Sequence, residues 1–210
     1  MSKFSEQIKS EMVRGARVKK RRTKTPVILA FVGITGSGKS TIAKALGKIL
    51  GWKIIEKDAI RVKLREEGFG FTPEKTDKIY YALINNAVSS GRSVILSSNF
   101  AEKNKRKKLE KFARKNGARI LYLCLICDRD VMLERIIGAK YSHKTMFKSA
   151  AIAVREHCRR YPWHYEWSKL HGGSYTFRKL PIKFFAEINT TDPKIWRKKV
   201  RLLAKRLKRF

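Results

Sequence analysis

The chain has 210 residues, enough for one domain with a sizeable core, and an ordinary 43% of them are apolar. Fifty lysines and arginines against 17 aspartates and glutamates give a formal charge of +33. That is far more than a local anion site needs, and it points either to a polyanionic partner such as RNA or DNA or to a compositional bias of the whole chain. No apolar run reaches the roughly 18 residues of a membrane span, and three cysteines make no disulfide framework.

The N-terminus has no secretory apolar core, because Phe4, Ile8 and Met12 are spaced as on an amphipathic helix. A cytoplasmic protein is expected. Residues 14–24 form a basic arm, and similar blocks recur at 103–115 and 197–209. Blocks of this density serve as solvated faces or as arms for nucleic acid.

Pro26 precedes Val27–Val32, an apolar run of strand length. Next comes Gly33-Ile-Thr-Gly-Ser-Gly-Lys39-Ser40-Thr41, which matches the pattern G-x-x-x-x-G-K-[ST] at every fixed position. Ile42–Leu50 then has helical periodicity and ends at Gly51. In such a loop Gly33, Gly36 and Gly38 let the backbone curl, so that N–H groups from Thr35 and Ser37 to Thr41 face phosphate oxygens. The helix N-terminus adds its positive end. Lys39 can reach the β- and γ-phosphates, and the Ser40 hydroxyl can ligate magnesium. ATP with Mg2+ is the implied ligand.

Lys53–Glu56 reads as a short second strand leading into a helix from Asp58 to Glu67. The end of strand two is expected beside the end of strand one, which would place Asp58 across from the γ-phosphate. There it could orient and deprotonate an acceptor hydroxyl and share the magnesium, while Arg61, one turn on, holds an anionic part of the acceptor. The plainer reading makes Asp58 a helix N-cap and Arg61 a surface residue, and the two readings are compatible.

A long helix follows Pro73, with Tyr80, Leu83, Ile84 and Ala87 on one face and Gly91 as its stop. Ser93–Ser97 reads as strand three, 101–116 as a helix and Ile120–Cys127 as strand four. Cys124 and Cys127 point to opposite faces of that strand and read as core thiols. Asp128 is placed to cap a helix carrying Leu133, Arg135 and Ile136. A lid followed by a helix is expected over about 138–160.

The segment His157–Trp167 is aromatic. Tyr161, Trp163, Tyr165 and Trp167 either pack the lid base or, with Arg159 and Arg160, stack on bases. His157, His164 and His171 recur every seven residues, but Pro162 and Gly172 break any regular helix and argue against a metal site. Ile182–Ile188 reads as strand five. In the closing helix Trp196, Val200, Leu203, Leu207 and Phe210 share one side and the other is basic. The alternation predicts an α/β fold, a three-layer sandwich with a mainly parallel five-stranded sheet that binds its ligand beyond the carboxyl ends of the strands.

At Gly33–Thr41 and at Asp58-Ala-Ile-Arg61 the chain resembles the small P-loop kinases, a group that includes phage-type polynucleotide kinase, the zeta toxins and AAA-family ATPases. The resemblance runs from about Val27 to Ala139 and more weakly to Thr191. It implies a P-loop NTPase domain over 25–191 with a helical lid, preceded by the arm at 1–24 and followed by the basic helix at 192–210. It also implies transfer of the ATP γ-phosphate to a hydroxyl, with Lys39 on the phosphates, Asp58 as base and Arg61 on the acceptor. Arg135, in Met132-Leu-Glu-Arg135, matches the lid arginine that clamps the transferring group.

In the polynucleotide kinases the acceptor is a 5′-hydroxyl of RNA or DNA, and the charge makes that the leading reading here. The alternatives are a metabolite, sugar nucleotide or antibiotic as acceptor, or an ATPase switch without phosphotransfer. The pattern departs at two places. Ser97 stands where strand three of the polynucleotide kinases ends in aspartate, leaving magnesium to Ser40 and Asp58. Ala139 stands at the second lid arginine, with Lys140 and Lys144 nearby.

Overall fold

Strand β1 (Val27–Val32) is buried at all six positions and divides them between two cores. Val27, Leu29 and Phe31 face one side of the sheet, and Ile28, Ala30 and Val32 face the other. A strand apolar on both faces belongs at the centre of a sheet covered on both sides. The computed structural model describes residues 25–70, 72–170 and 173–210. The arm at 1–24 and His171 lie outside the described residues.

Helix α1 (Lys39–Leu50) follows β1, then β2 (Lys53–Ile55), α2 (Lys57–Glu66), α3 (Pro73–Ser89) and β3 (Val94–Asn99). The chain continues through α4 (Lys103–Lys115), β4 (Arg119–Ile126), α5 (Arg129–Ile137) and α6 (Ala150–Arg160). A 3₁₀ turn (Tyr161–Trp163) leads to β5 (Tyr165–Ser168) and β6 (Ser174–Phe177), followed by β7 (Phe184–Asn189) and α7 (Pro193–Leu207). The five-stranded sheet has the order β2-β3-β1-β4-β7, and every neighbouring pair is parallel. Helices α2, α3 and α4 cover one face, while α1 and α7 cover the other. The expected three-layer α/β sandwich is present.

Two expectations need correction. Strand β2 does not lie beside β1, because β3 is inserted between them, with Ile55 paired to Leu96. Strand length explains the order. β2 has three residues, of which Ile55 alone is buried, so it can serve as an edge. β3 has four buried residues in succession, Val94 to Ser97, and can occupy a position with neighbours on both sides. Asp58, moreover, is not a helix N-cap. α2 starts at Lys57, Glu56 holds the cap position, and Asp58 lies inside the first turn.

The buried part of the aromatic segment packs as core, the plainer of its two readings. Tyr161 and Tyr165 are buried and stack at 4.6 Å, and the Tyr165 hydroxyl donates to the Cys127 carbonyl. Trp163 and Trp167 stay on the surface, Trp163 under the Arg159 guanidinium. Tyr165 also begins an antiparallel hairpin with β6, paired to Phe177, which the sequence reading did not anticipate. Its strands have four residues each and carry too little alternation to stand out.

Other local signals act as their chemistry dictates. Thr72 caps α3 ahead of Pro73, Asp128 caps α5 through the amides of Asp130 and Val131, and Asp192 caps α7. On α7, Val200, Leu203, Ala204 and Leu207 are buried, with Trp196 and Phe210 against the same core. Cys124 and Cys127 are both buried and unbridged. No helix among the described residues is long and apolar enough to cross a membrane.

Candidate active site

β1 delivers the phosphate loop to the carboxyl edge of the sheet. Gly36 and Gly38 have φ of 85° and 82°, in the left-handed region that glycine adopts without cost. A side chain at Gly36 would also place its Cβ 2.8 Å from the Met132 carbonyl oxygen, so α5 packs directly on the loop. Ser37 is buried, and its hydroxyl donates to the Ile34 carbonyl at 2.8 Å. Its own carbonyl accepts from Thr190 Oγ1 at 3.1 Å. Its N–H also donates to the Ile34 carbonyl at 3.2 Å, so Ser37 is occupied within the loop and, unlike the other expected loop residues, does not line the cleft.

Lys39 Nζ donates to the Ile34 carbonyl at 2.5 Å and forms no ion pair among the described residues. Burial holds its pKa down to about 8, against the attraction of Asp58 and, more weakly, Glu56; Arg160 adds to the lowering.

A second set of bonds anchors the loop from outside. Asn99 Oδ1 accepts from the amides of Gly33 at 3.2 Å and Ala101 at 3.1 Å, which fixes the orientation of its amide. Asn99 Nδ2 therefore donates to His164 Nε2 at 2.9 Å, and His164 Nδ1–H donates to the Arg160 carbonyl at 3.2 Å. His157 Nδ1 bonds the Thr35 carbonyl at 3.0 Å. Both histidines are buried neutral rings bracing the loop.

Burial pushes the His164 pKa from 6.5 to about 4, the Arg160 carbonyl opposing. In the unfolded chain this imidazole takes a proton near its ordinary value, while the native ring resists. Its contribution to stability is therefore complete above pH 6.5 and is lost as the pH falls towards 4. The loss should be about 3 kcal/mol. Urea unfolding at pH 7, 5.5 and 4 tests this: His164→Gln should flatten the decline, and an equally steep decline in the variant would refute it.

The acceptor side comes from α2 and the carboxyl end of β3. Arg61 Nη1 donates to Asp58 Oδ1 at 3.0 Å, one turn apart on α2. The β1–β3 register slips between Ala30 and Phe31, whose partners are Leu96 and Asn99. Ser97 and Ser98 are thereby displaced towards β2, and Ser97 Oγ donates to Glu56 Oε1 at 2.6 Å. Above them the loop 138–149 is held down by Arg65, whose guanidinium donates to the carbonyls of His143, Thr145 and Met146. Met146 and Phe147 of this loop reach the cleft.

One cleft of about 750 Å3 unites these groups. Of the residues expected from sequence, Gly33, Thr35, Gly36, Gly38, Lys39, Ser40, Thr41, Asp58, Arg61 and Arg135 line it. Arg135 has its guanidinium turned to the β7–α7 turn, bonding the Thr190 carbonyl at 2.6 Å and the Gly36 carbonyl at 3.4 Å. Lys140 and Lys144 are exposed and do not line it.

Sequence reasoning missed Glu56, Asn99, Lys105 and Glu156, which also line the cleft, as does Arg160, expected beside the aromatic segment and not at the nucleotide. Arg160 pairs with Glu156 at 2.5 Å, and its Nε is buried with no hydrogen-bond partner among the described residues. One signal was available: Arg160 follows His157 by three residues and Glu156 by four, the spacings that bring helical side chains together.

A sequence profile of AAA domains matches residues 28–159, well over half of the chain, from β1 into α6. The chain belongs to the AAA domain family. A relative of this AAA domain protein, the Rattus norvegicus protein named probable gluconokinase, is 33% identical over 89 residues. Those residues are 38% of this chain and 46% of the rat protein, so the match spans less than half of the relative.

A protein of Chloroflexus aurantiacus provisionally named a kinase superposes with a TM-score of 0.63, covering 89% of this chain and 98% of its own at 18% identity. The APS kinase CysC of Mycobacterium tuberculosis, in complex with AMPPNP and APS, gives 0.57 over 89% and 99% at 13% identity. At such identities the likeness establishes the fold, which is that of the small P-loop kinases.

Proposed function

We propose that this protein is a kinase that transfers the γ-phosphoryl group of ATP to a hydroxyl of a small acceptor carrying an anionic group. One observation carries the proposal. A single cleft joins the phosphate loop with Lys39 to the Asp58–Arg61 pair, two elements that no bare ATPase needs side by side. The loop amides and Lys39 would hold the β- and γ-phosphates. Arg61 would exchange Asp58 for the anionic group of the acceptor, freeing Asp58 to take the hydroxyl proton as the acceptor oxygen attacks the γ-phosphorus and ADP departs. Arg160, with its unpartnered Nε, replaces the second arginine missing at Ala139, and Arg135 stands at the far side of the loop.

Magnesium fits the donor chemistry, since Ser40 and Glu56 offer hard oxygen ligands on the cleft wall while Asp58 serves the acceptor. Among the described residues no group of three or more His, Cys, Asp or Glu forms a protein-only metal site, as suits an ion shared with nucleotide phosphates. When bound, the ion neutralises charge developing on the phosphates.

Two observations favour a small acceptor over a polynucleotide. The loop carrying Met146 and Phe147 contributes to the cleft wall and limits its extent. The related proteins are named for gluconate and APS, which are small molecules. The basic block at 197–209 contributes nothing to the cleft, and of the block at 103–115 Lys105 alone lines it.

The test is incubation with γ-labelled ATP and a panel of sugar acids, sugars, APS and 5′-hydroxyl oligonucleotides. Label on a small anionic acceptor is the expected result. Label on oligonucleotides alone would establish the polynucleotide reading instead, and release of free phosphate alone would sink the kinase.

A further inference from the structure

We infer that the β5–β6 hairpin and the turn before it form a platform on which single-stranded RNA stacks, outside the cleft. The inference stands apart from the kinase reading, because Arg129, Arg159, Trp163, Trp167 and Tyr175, which build the platform, do not line the cleft.

Exposed large aromatic side chains are confined to one stretch of the chain. Among the described residues they are Trp163, Trp167 and Tyr175, with 51%, 59% and 42% of their surface accessible. Apolar residues scattered singly over a surface need no explanation, but three aromatics gathered on one turn and its hairpin do. Trp163 and Trp167 are four positions apart in the chain, so their Cα atoms lie within about 14 Å of each other.

The fold holds these rings firmly. Trp167 and Tyr175 are cross-strand partners on one face of the hairpin, with their rings 5.1 Å apart, edge to face. Tyr175 meets Tyr161 at 5.2 Å, Tyr161 stacks on Tyr165, and Tyr165 meets Phe177 at 5.4 Å. Aromatic contacts thus run unbroken from the buried core out to the exposed indole. Gly173 also comes so near this indole that a Cβ there would fall 2.6 Å from the ring. A ring fixed in this way loses little freedom when a base stacks on it. The cross-strand pair also supports the hairpin, but that role gives no reason for Trp163, which lies before β5.

Cations accompany the rings. Arg159, steadied by Glu156 at 2.6 Å, lies over Trp163 at 5.5 Å, and Arg129 lies over Tyr175 at 5.2 Å. Glu166 alternates to the opposite face from Trp167 and meets Arg178 there at 3.7 Å. From 155 to 183, seven lysines and arginines stand against two glutamates, so the charge selects a polyanion over a neutral sugar or peptide. Aromatic rings flanked by arginines suit a single strand, whose unpaired bases offer faces to stack on and whose phosphates meet the charge. A duplex hides those faces. RNA is the polymer that ordinarily presents unpaired bases, in loops and at ends.

The test follows the anisotropy of a 3′-fluorescein single-stranded RNA of about 12 nucleotides, titrated with the full chain. AMPPNP is present throughout to occupy the phosphate loop. Trp167→Ala should weaken binding about tenfold, and Trp163→Ala, outside the hairpin, about as much. Trp167→Phe keeps a ring and should stay within about threefold of wild type, while much of the quenching of tryptophan emission by RNA disappears. Lys198→Gln with Lys205→Gln, which removes charge from α7, should also stay within about threefold. The single strand should bind about tenfold tighter than the same sequence in a duplex. Should Trp167→Ala disturb the hairpin, Trp163→Ala and Trp167→Phe keep the test decisive.

Wild-type affinity in both alanine variants, or equal binding of duplex and single strand, would reduce the interaction to bulk charge and overturn the platform. Single-stranded DNA bound in preference to RNA, or an oligosaccharide or proline-rich peptide bound where RNA is not, would overturn the choice of partner. The labelling panel decides the kinase reading separately, since RNA binding at this surface does not depend on phosphotransfer.

Discussion

Asp58→Asn should lower turnover about 10²- to 10⁴-fold while nucleotide affinity stays within about twofold, the range of a lost general base. Asparagine keeps the shape of the side chain and removes its capacity to take a proton. The backbone of α2 begins at Lys57 without help from Asp58, which makes no capping bond, so the change should leave the fold intact. Arg61 loses its 3.0 Å partner and becomes freer to bind the acceptor anion. The variant should therefore show acceptor KM unchanged or lower alongside the fallen kcat, a pattern that marks loss at the transition state. Steady-state kinetics with the acceptor found in the labelling panel, paired with calorimetric AMPPNP binding, gives both numbers. Turnover near the wild-type rate would remove Asp58 from the mechanism.

Lys39→Met should cost about 10²- to 10³-fold in kcat/KM, the scale for losing one preorganised charge stabiliser in a partly dry site. The same residue makes a pH prediction whose sign follows from its pKa of about 8 in the free protein. Below pH 8 the ammonium carries its charge. Above it the ammonium loses the proton, and affinity for a polyphosphate falls. Because bound phosphates favour the charged form, binding at pH 8.5 must take up a proton, and binding at pH 6.5 should take up none at this group. Calorimetry in two buffers of different ionisation enthalpy reads the uptake directly. It should vanish in Lys39→Met, and uptake that persists there would place the titrating group elsewhere.

The asymmetry between the two halves of the cleft has a physical source. The donor half is built from consecutive residues, so Gly36, Gly38, Lys39 and Ser40 declare themselves by spacing. The chemistry of a phosphate cradle depends on local backbone conformation. What braces that loop and shapes the rest of the cleft is assembled across the chain. The bond between Ser97 and Glu56 spans 41 positions, that between Asn99 and Gly33 spans 66, and that between His157 and Thr35 spans 122. No periodicity encodes such pairs.

The expected place of β2 shows how the error arises. A run of three residues announces a strand but not its neighbours. With β2 set beside β1, Asp58 was the sole visible acid and Ser97 looked like a simple loss. With β3 between them, Ser97 becomes the residue that holds Glu56. Arg160 was hidden for a similar reason. It closes the span expected as lid and helix, and only the turn of α6 directs it into the cleft.

By itself, then, the sequence determined the parallel α/β architecture, the phosphate loop and the placing of Asp58 and Arg61 one helical turn apart. These rest on alternation of apolar runs, on a contiguous motif, and on a helical step of three. Tertiary structure alone decided the strand order, the Glu56–Ser97 contact, the histidine brace under the loop and the approach of Arg160, because each depends on which distant strands pair and which faces they bury.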